Sequence, residues 1–215
     1  MSWDVGAWVI ATVNSVLGTL IKTHGTQTFT SDGTFTVPDG VTKILVTAFG
    51  AGGSGYNRDG GQGGDFVIRK AFMVTPNDSL SITVGKGNLN NDGGATVIGN
   101  LITLAGGGKG GKKRNHKGAL GGTTVNMVEV AAQNTVFAHG GLKGTDNTSS
   151  SGGPGGSGGG AGYGRGGDGA NGNIEYYVGF NGENGGIGAG GGGGGYGSSI
   201  GTPGIGGDGI VIIEW

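Results

Sequence analysis

Glycine in this chain is segregated. It is sparse from Met1 to Phe49, rises after Gly50, and approaches every second residue from Gly152 to Gly209. Ordering a glycine in regular structure costs roughly 0.5–1 kcal/mol more than ordering an alanine. Over the 59 glycines of a 215-residue chain that cost exceeds the about 5–15 kcal/mol by which a domain is normally stable. Two outcomes are open. Either the tracts stay unfolded, or they pack backbone to backbone in places where no side chain would fit.

Composition narrows the choice. Charged residues are 13% of the chain, too few for a charge-driven disordered tail. Collagen is excluded, because glycine has no strict three-residue period and only 4 prolines are present. With 0 cysteines there is no disulfide framework and no cysteine-rich zinc site. A net charge of −1 gives no general attraction to nucleic acid.

Three zones follow along the chain. In residues 1–24, Val5, Val9, Val13, Val16 and Leu20 fall on one helical face, which Trp8 and Leu17 widen. Gly18 and the β-branched residues weaken such a helix, so it needs a partner. It is expected to attach or oligomerise the protein through Trp8, Val9, Val13, Val16 and Leu20. The alternative is a first helix packed on its own domain. Asp4 ahead of the apolar run and the lack of a basic start argue against a secretory leader. Asn14, Ser15 and Gly18 interrupt a run too short to span a membrane.

Residues 25–105 read as an antiparallel β-domain. Thr26 to Ser31 and Thr34 to Val37 alternate on either side of Asp32-Gly33, a hairpin dipeptide. Pro38-Asp39-Gly40 turns the chain into Val41 to Phe49. Asp65 to Val74, Leu80 to Val84, and a pair across Gly99-Asn100 complete the set.

Residues 106–215 alternate glycine tracts with inserts of different chemistry, at 109–117, 123–139, 143–151, 173–181 and 196–202, and close on the apolar strand Gly209 to Trp215. A strand apolar on both faces needs a sheet to join, so the tracts lie between elements that must meet in space. Glycine tracts of this kind suit polyglycine II, a threefold screw with about 3.1 Å rise whose hydrogen bonds go to neighbouring segments. Without Cβ atoms such segments approach closely, and N–H···O and Cα–H···O contacts offset the cost of order. The expected architecture is therefore mainly β, with an N-terminal helix, a small antiparallel β-domain and a polyglycine II bundle carrying variable loops.

Thr34-Phe35-Thr36-Val37-Pro38-Asp39-Gly40-Val41-Thr42-Lys43-Ile44-Leu45-Val46-Thr47-Ala48-Phe49-Gly50-Ala51-Gly52-Gly53 resembles the opening of the glycine-rich domain of tailed-bacteriophage tail-fibre and receptor-binding proteins. Val74-Thr75-Pro76, Ile82-Thr83-Val84-Gly85-Lys86-Gly87 and the closing Gly209 to Trp215 follow the same pattern. The third zone is also similar to the adhesins at the tips of T-even-type long tail fibres. That resemblance implies a non-enzymatic virion protein at a tail-fibre or baseplate tip, made in the host cytoplasm and mounted on another tail protein or on itself as a homotrimer. It implies recognition of a bacterial surface receptor, either an outer-membrane protein or an envelope polysaccharide. The family's usual attachment domain is not visible in this chain. A purely structural glycine-rich tip protein is the alternative. An ice-binding bundle is a third class, disfavoured by the charged, irregular inserts.

The inserts hold the candidate contacts. Lys109, Lys112, Lys113, Arg114, His116 and Lys117 form a basic stretch suited to an anionic envelope such as lipopolysaccharide phosphate or teichoic acid. Equally, they suit a solvated loop that guards an apolar edge. Tyr163, Tyr176, Tyr177, Phe180 and Tyr196 stand among small residues, and stiff aromatic area at low entropic cost serves loop-based recognition. They would otherwise cap glycine segments by lying flat on them. No cofactor is expected. Lys113 stands where a P-loop needs Ser or Thr, and Gly155 to Gly159 matches a nucleophile elbow without its setting. Gly60 to Ile68 matches a single calcium nonapeptide, where such sites need tandem copies. His24, His116 and His139 have no metal-ligand spacing, so no metal site is expected.

Overall fold

The computed structural model describes residues 10, 13–15, 24–57, 59–110, 167, 172–173, 178–179, 181–194 and 201–215. It is mainly β. The strands are β1 (Thr26–Phe29), β2 (Gly33–Thr36), β3 (Lys43–Phe49), β4 (Phe66–Met73), β5 (Ser79–Thr83), β6 (Thr96–Ile98), β7 (Ile102–Leu104), β8 (Gly172–Asn173), β9 (Val178–Gly179) and β10 (Ile210–Glu214). Two four-stranded antiparallel sheets hold most of them, in the orders β1-β10-β3-β4 and β2-β5-β6-β7. The short β8 and β9 pair with each other.

Period-two patterning builds one core between the sheets. On β5, Leu80 and Ile82 are buried while Ser79, Ser81 and Thr83 are exposed. The second sheet contributes Phe35, Leu80, Ile82, Ile98 and Leu104; the first contributes Phe29, Ile44, Val46, Ala48, Val67, Val211 and Ile213. A second cluster, Phe49, Phe66 and Ile210, lies on the opposite face of the first sheet, where the two phenyl rings stack at 5.5 Å. The apolar character of both faces of β3 and β10 thus has a use on each side.

The closing strand joins a sheet as its composition requires, and it lies between β1 and β3. Val211 pairs with Phe29 on one side and Ala48 on the other. The pair across Gly99-Asn100 is also present, as β6 and β7.

The hairpin expected at Asp32-Gly33 is not. β1 belongs to the first sheet and β2 to the second. Phe29 and Phe35 both enter the core, one from each sheet, so the chain must cross between layers here. Asp32 fixes that crossing through its Oδ1, which accepts the Val84 N–H at 2.8 Å. The β3–β4 ladder shifts register between Val46 and Ala48. Arg69, opposite, takes a positive φ of 48°, and its N–H donates to Thr47 Oγ1 at 3.0 Å.

Of residues 1–24, Ile10 and 13–15 are helical, and Ile10 and Val13 are exposed by 63% and 57%. Trp8, Val9, Val16 and Leu20 lie outside the described residues. No helix among the described residues is long and apolar enough to cross a membrane.

The described glycine segments are ordered without being sheet. The N–H groups of Gly50 and Gly53 donate to Asp65 and Gln62; those of Ala51 and Ser54, to Gly94 and Asn91; those of Gly52 and Gly55, to Gly207 and Gly204. Successive residues thus turn to three different neighbours, and every third returns to the same one. The same interval recurs where Gly182, Gly185 and Gly188 donate to Thr202, Ile205 and Asp208, and where Gly61 and Gly64 donate to Gly191 and Gly188. A β-strand, with its period of two, cannot do this. Nor would a side chain fit. A Cβ on Gly52 would fall on the Ala189 carbonyl, and one on Gly206 on the Gly52 carbonyl.

Candidate binding end of the glycine segments

Six strand termini on one side of the sandwich feed the glycine segments: the ends of β3, β5 and β7 and the starts of β4, β6 and β10. Thr96 stitches this junction. Its buried hydroxyl donates to the Phe49 carbonyl at 2.8 Å and accepts the Gly85 N–H at 3.0 Å. From there the segments run away from the hydrophobic core and turn back, and their turns assemble a second, polar end.

That end is built from Tyr56, Asn57 and Asp59 of one turn, Asn90, Asn91 and Asp92 of another, and Lys109-Gly110. The levels are set by backbone bonds. Ser54 N–H donates to Asn91, Gly110 N–H to Ser54, and Gly194 N–H to Asn57. Tyr56 and Asp59 close their turn with reciprocal N–H···O bonds of 2.9 Å each, and Asp59 is buried. Asn57 and Asn90 take positive φ values of 51° and 58°, a conformation that asparagine tolerates better than most residues.

Lys109 is the described member of the basic stretch. Its Nζ lies 5.0 Å from the centroid of the Tyr56 ring, a cation–π arrangement, and donates to the Asn90 carbonyl at 3.3 Å. Its backbone N–H donates to Asp92 Oδ1 at 2.8 Å. The lysine therefore ties its own segment to both turns, holding its ammonium at a half-buried position on the end surface. Lys112, Lys113, Arg114, His116, Lys117, Tyr163, Tyr176, Tyr177, Phe180 and Tyr196 lie outside the described residues. The described residues that flank those inserts do converge. Gly110, Gly194 and Gly201 meet this end, where a Cβ on Gly194 would strike the Gly201 carbonyl and one on Gly110 would lie 2.6 Å from the Asp59 carbonyl oxygen. Asn181 joins them through Thr202, whose N–H donates to Asn181 Oδ1 at 2.8 Å.

Tyr56, Asn90 and Asp92 were not among the sequence candidates. Their signal was available: Tyr56 is a large aromatic after the tract 50–55, and Asn90-Asn91-Asp92-Gly93 is a dense run of turn formers. Among the described residues no group of three or more His, Cys, Asp or Glu side chains could hold a metal ion.

The family of the glycine-rich domain matches residues 26–215, all but the first 25 residues, and the chain belongs to that family. No curated protein matches it.

Proposed function

We propose that this member of the glycine-rich domain family is a receptor-binding adhesin of a bacteriophage tail-fibre or baseplate tip, with its glycine segments in polyglycine II. The three-residue alternation of hydrogen-bond partners supports that backbone form, since a threefold screw aims successive N–H groups at three neighbours. One observation carries the functional reading: residues 110, 181, 194 and 201, at the borders of the inserts 109–117, 173–181 and 196–202, gather at the end opposite the hydrophobic core. A close-packed backbone is rigid, and rigid scaffolds presenting variable loops are the usual plan for recognition surfaces.

In this reading the protein is non-enzymatic and sits at the virion tail tip. It contacts an outer-membrane protein or an envelope polysaccharide, with no nucleic acid partner and no membrane insertion. The apolar stripe of residues 1–24 mounts it on another tail protein or on two further copies. The recognition residues are those of 109–117, 143–151 and 173–181, with Tyr163 and Tyr196. A second reading, a structural tip protein without a receptor, draws on the anchoring of Lys109 to Tyr56 and Asn90.

Binding of the purified chain to isolated outer-membrane envelopes and to cell-wall sacculi from a panel of bacterial strains separates the two. Saturable binding that is lost on alanine replacement across 109–117, 143–151 or 173–181, with unchanged thermal stability, is the expected result. Binding that survives all three replacements removes the site assignment, and absence of binding throughout the panel favours the structural reading.

A further inference from the structure

Two asparagine–glycine dipeptides meet the chain segment 202–205 in the same way. Thr202 N–H donates to Asn181 Oδ1 at 2.8 Å, while Gly182 N–H donates to the Thr202 carbonyl at 2.9 Å. Three residues on, Ile205 N–H donates to Asn184 Oδ1 at 2.9 Å, and Gly185 N–H donates to the Ile205 carbonyl at 2.9 Å. Each dipeptide therefore holds both backbone groups of one residue. At the next step the asparagine position is Ile187, and only the backbone bond from Gly188 to Asp208 remains. Asn181 and Asn184 are exposed, so water reaches both.

Asn–Gly is also the dipeptide with the least steric hindrance to self-cyclisation. The glycine nitrogen attacks the asparagine Cγ, forming an N–Cγ bond. The Cγ–Nδ2 bond breaks, and the glycine amide proton leaves with the amine as ammonia. Water then opens the succinimide at either carbonyl, giving aspartate or isoaspartate. The attack needs a glycine nitrogen that can lose its proton and a side chain free to bring Cγ onto it. In this fold both requirements are blocked by the same clamp.

We propose that Asn181-Gly182 and Asn184-Gly185 are latent deamidation sites, silenced by their paired hydrogen bonds to Thr202 and Ile205 and released when this edge of the glycine segments opens. Isoaspartate inserts an extra backbone carbon, which breaks the three-residue register, so a segment modified while open cannot close again. The modification makes local opening irreversible. Two hydrogen bonds must be lost at each site before attack, which corresponds to a slowing of about ten-fold or more relative to the unfolded chain.

The test is to incubate the folded chain, and the same chain in guanidinium, at mildly alkaline pH. Proteolytic peptides are then scored for the one-dalton gain and for isoaspartate at each site. The expected result is conversion at both sites in denaturant and at least about ten-fold slower conversion in the folded chain. Ile205→Pro removes the N–H that holds Asn184 Oδ1 and keeps the carbonyl; it should speed conversion at Asn184 and leave Asn181 as the internal control. Equal rates in folded and denatured chain overturn the proposal, as does an Ile205→Pro protein, folded by circular dichroism, whose Asn184 rate is unchanged. If that variant does not fold, the comparison of folded and denatured parent chain decides alone.

Discussion

Gly25 and Trp215 close the first sheet on each other. Gly25 N–H donates to the Trp215 carbonyl at 2.8 Å, and Trp215 N–H returns a bond to Gly25 at 3.0 Å. The indole lies over the glycine and also packs against Phe35, with ring centroids 5.3 Å apart. The residue that follows β10 is thereby tied to the residue before β1 and to the core.

A Cβ on Gly25 would lie 2.5 Å from Trp215 Cζ2. Gly25→Ala should therefore displace the indole and destabilise the fold by about 1–3 kcal/mol, the usual cost of overpacking. Trp215→Leu, which keeps apolar volume without the ring, should make Gly25→Ala milder. A double-mutant cycle by urea denaturation checks the coupling, and purely additive effects would remove the proposed contact.

Thr96 holds the junction between sandwich and glycine segments through one hydroxyl with two partners. Thr96→Val keeps the shape and removes the hydroxyl that joins the Phe49 carbonyl to the Gly85 N–H, for an expected loss of about 1–3 kcal/mol. Thr96→Ser should recover most of it. Chemical denaturation of the pair measures this, and equal stability of the two variants would contradict it.

Glycines in the segments should differ sharply from those in the sandwich. A Cβ on Gly207 would meet the Gly186 carbonyl, which is backbone and cannot swing away. Gly207→Ala is expected to cost more than about 3 kcal/mol, beyond ordinary overpacking. At Gly33 the nearest atom is the Phe29 side chain at 3.1 Å, so Gly33→Ala should cost about 1 kcal/mol or less. Thermal melts of the two variants provide the comparison.

Lys109→Ala removes a cation from the Tyr56 face and a bond to Asn90. The stability change should stay near 0.5–1 kcal/mol, the scale of an exposed cation–π contact. If the polar end meets an anionic envelope, affinity should fall several-fold and lose part of its salt dependence. Lys109→Arg, which keeps charge and stacking, should bind like the parent. Affinity measured at two salt concentrations tests both halves, and a loss common to alanine and arginine would point to packing instead.

Much of the sandwich was legible because its signals are local. Alternation in Leu80 to Val84, turn chemistry at Pro38-Asp39-Gly40 and the pair across Gly99-Asn100 each act within a few residues. The closing segment announced its need for a sheet through apolar residues on both faces. The polar end was read less well. Lys109 stands out in the sequence by charge density, but its neighbours Tyr56, Asn90 and Asp92 come from two separate turns, and nothing in their spacing says that those turns meet.

The order of residues alone says where side chains are absent, and hence where backbones can touch. It also determined which strands present an apolar face to a core. Long-range packing sets the rest: Asp32-Gly33 crosses between layers, β10 inserts between β1 and β3, and each glycine segment takes its particular neighbours. The physical reason is the same in each case. A glycine has no side chain to name its neighbour, so a tract specifies close approach without specifying a partner. The partner is selected by the strand ends from which the segments spring, and by the requirement that every buried N–H find a carbonyl.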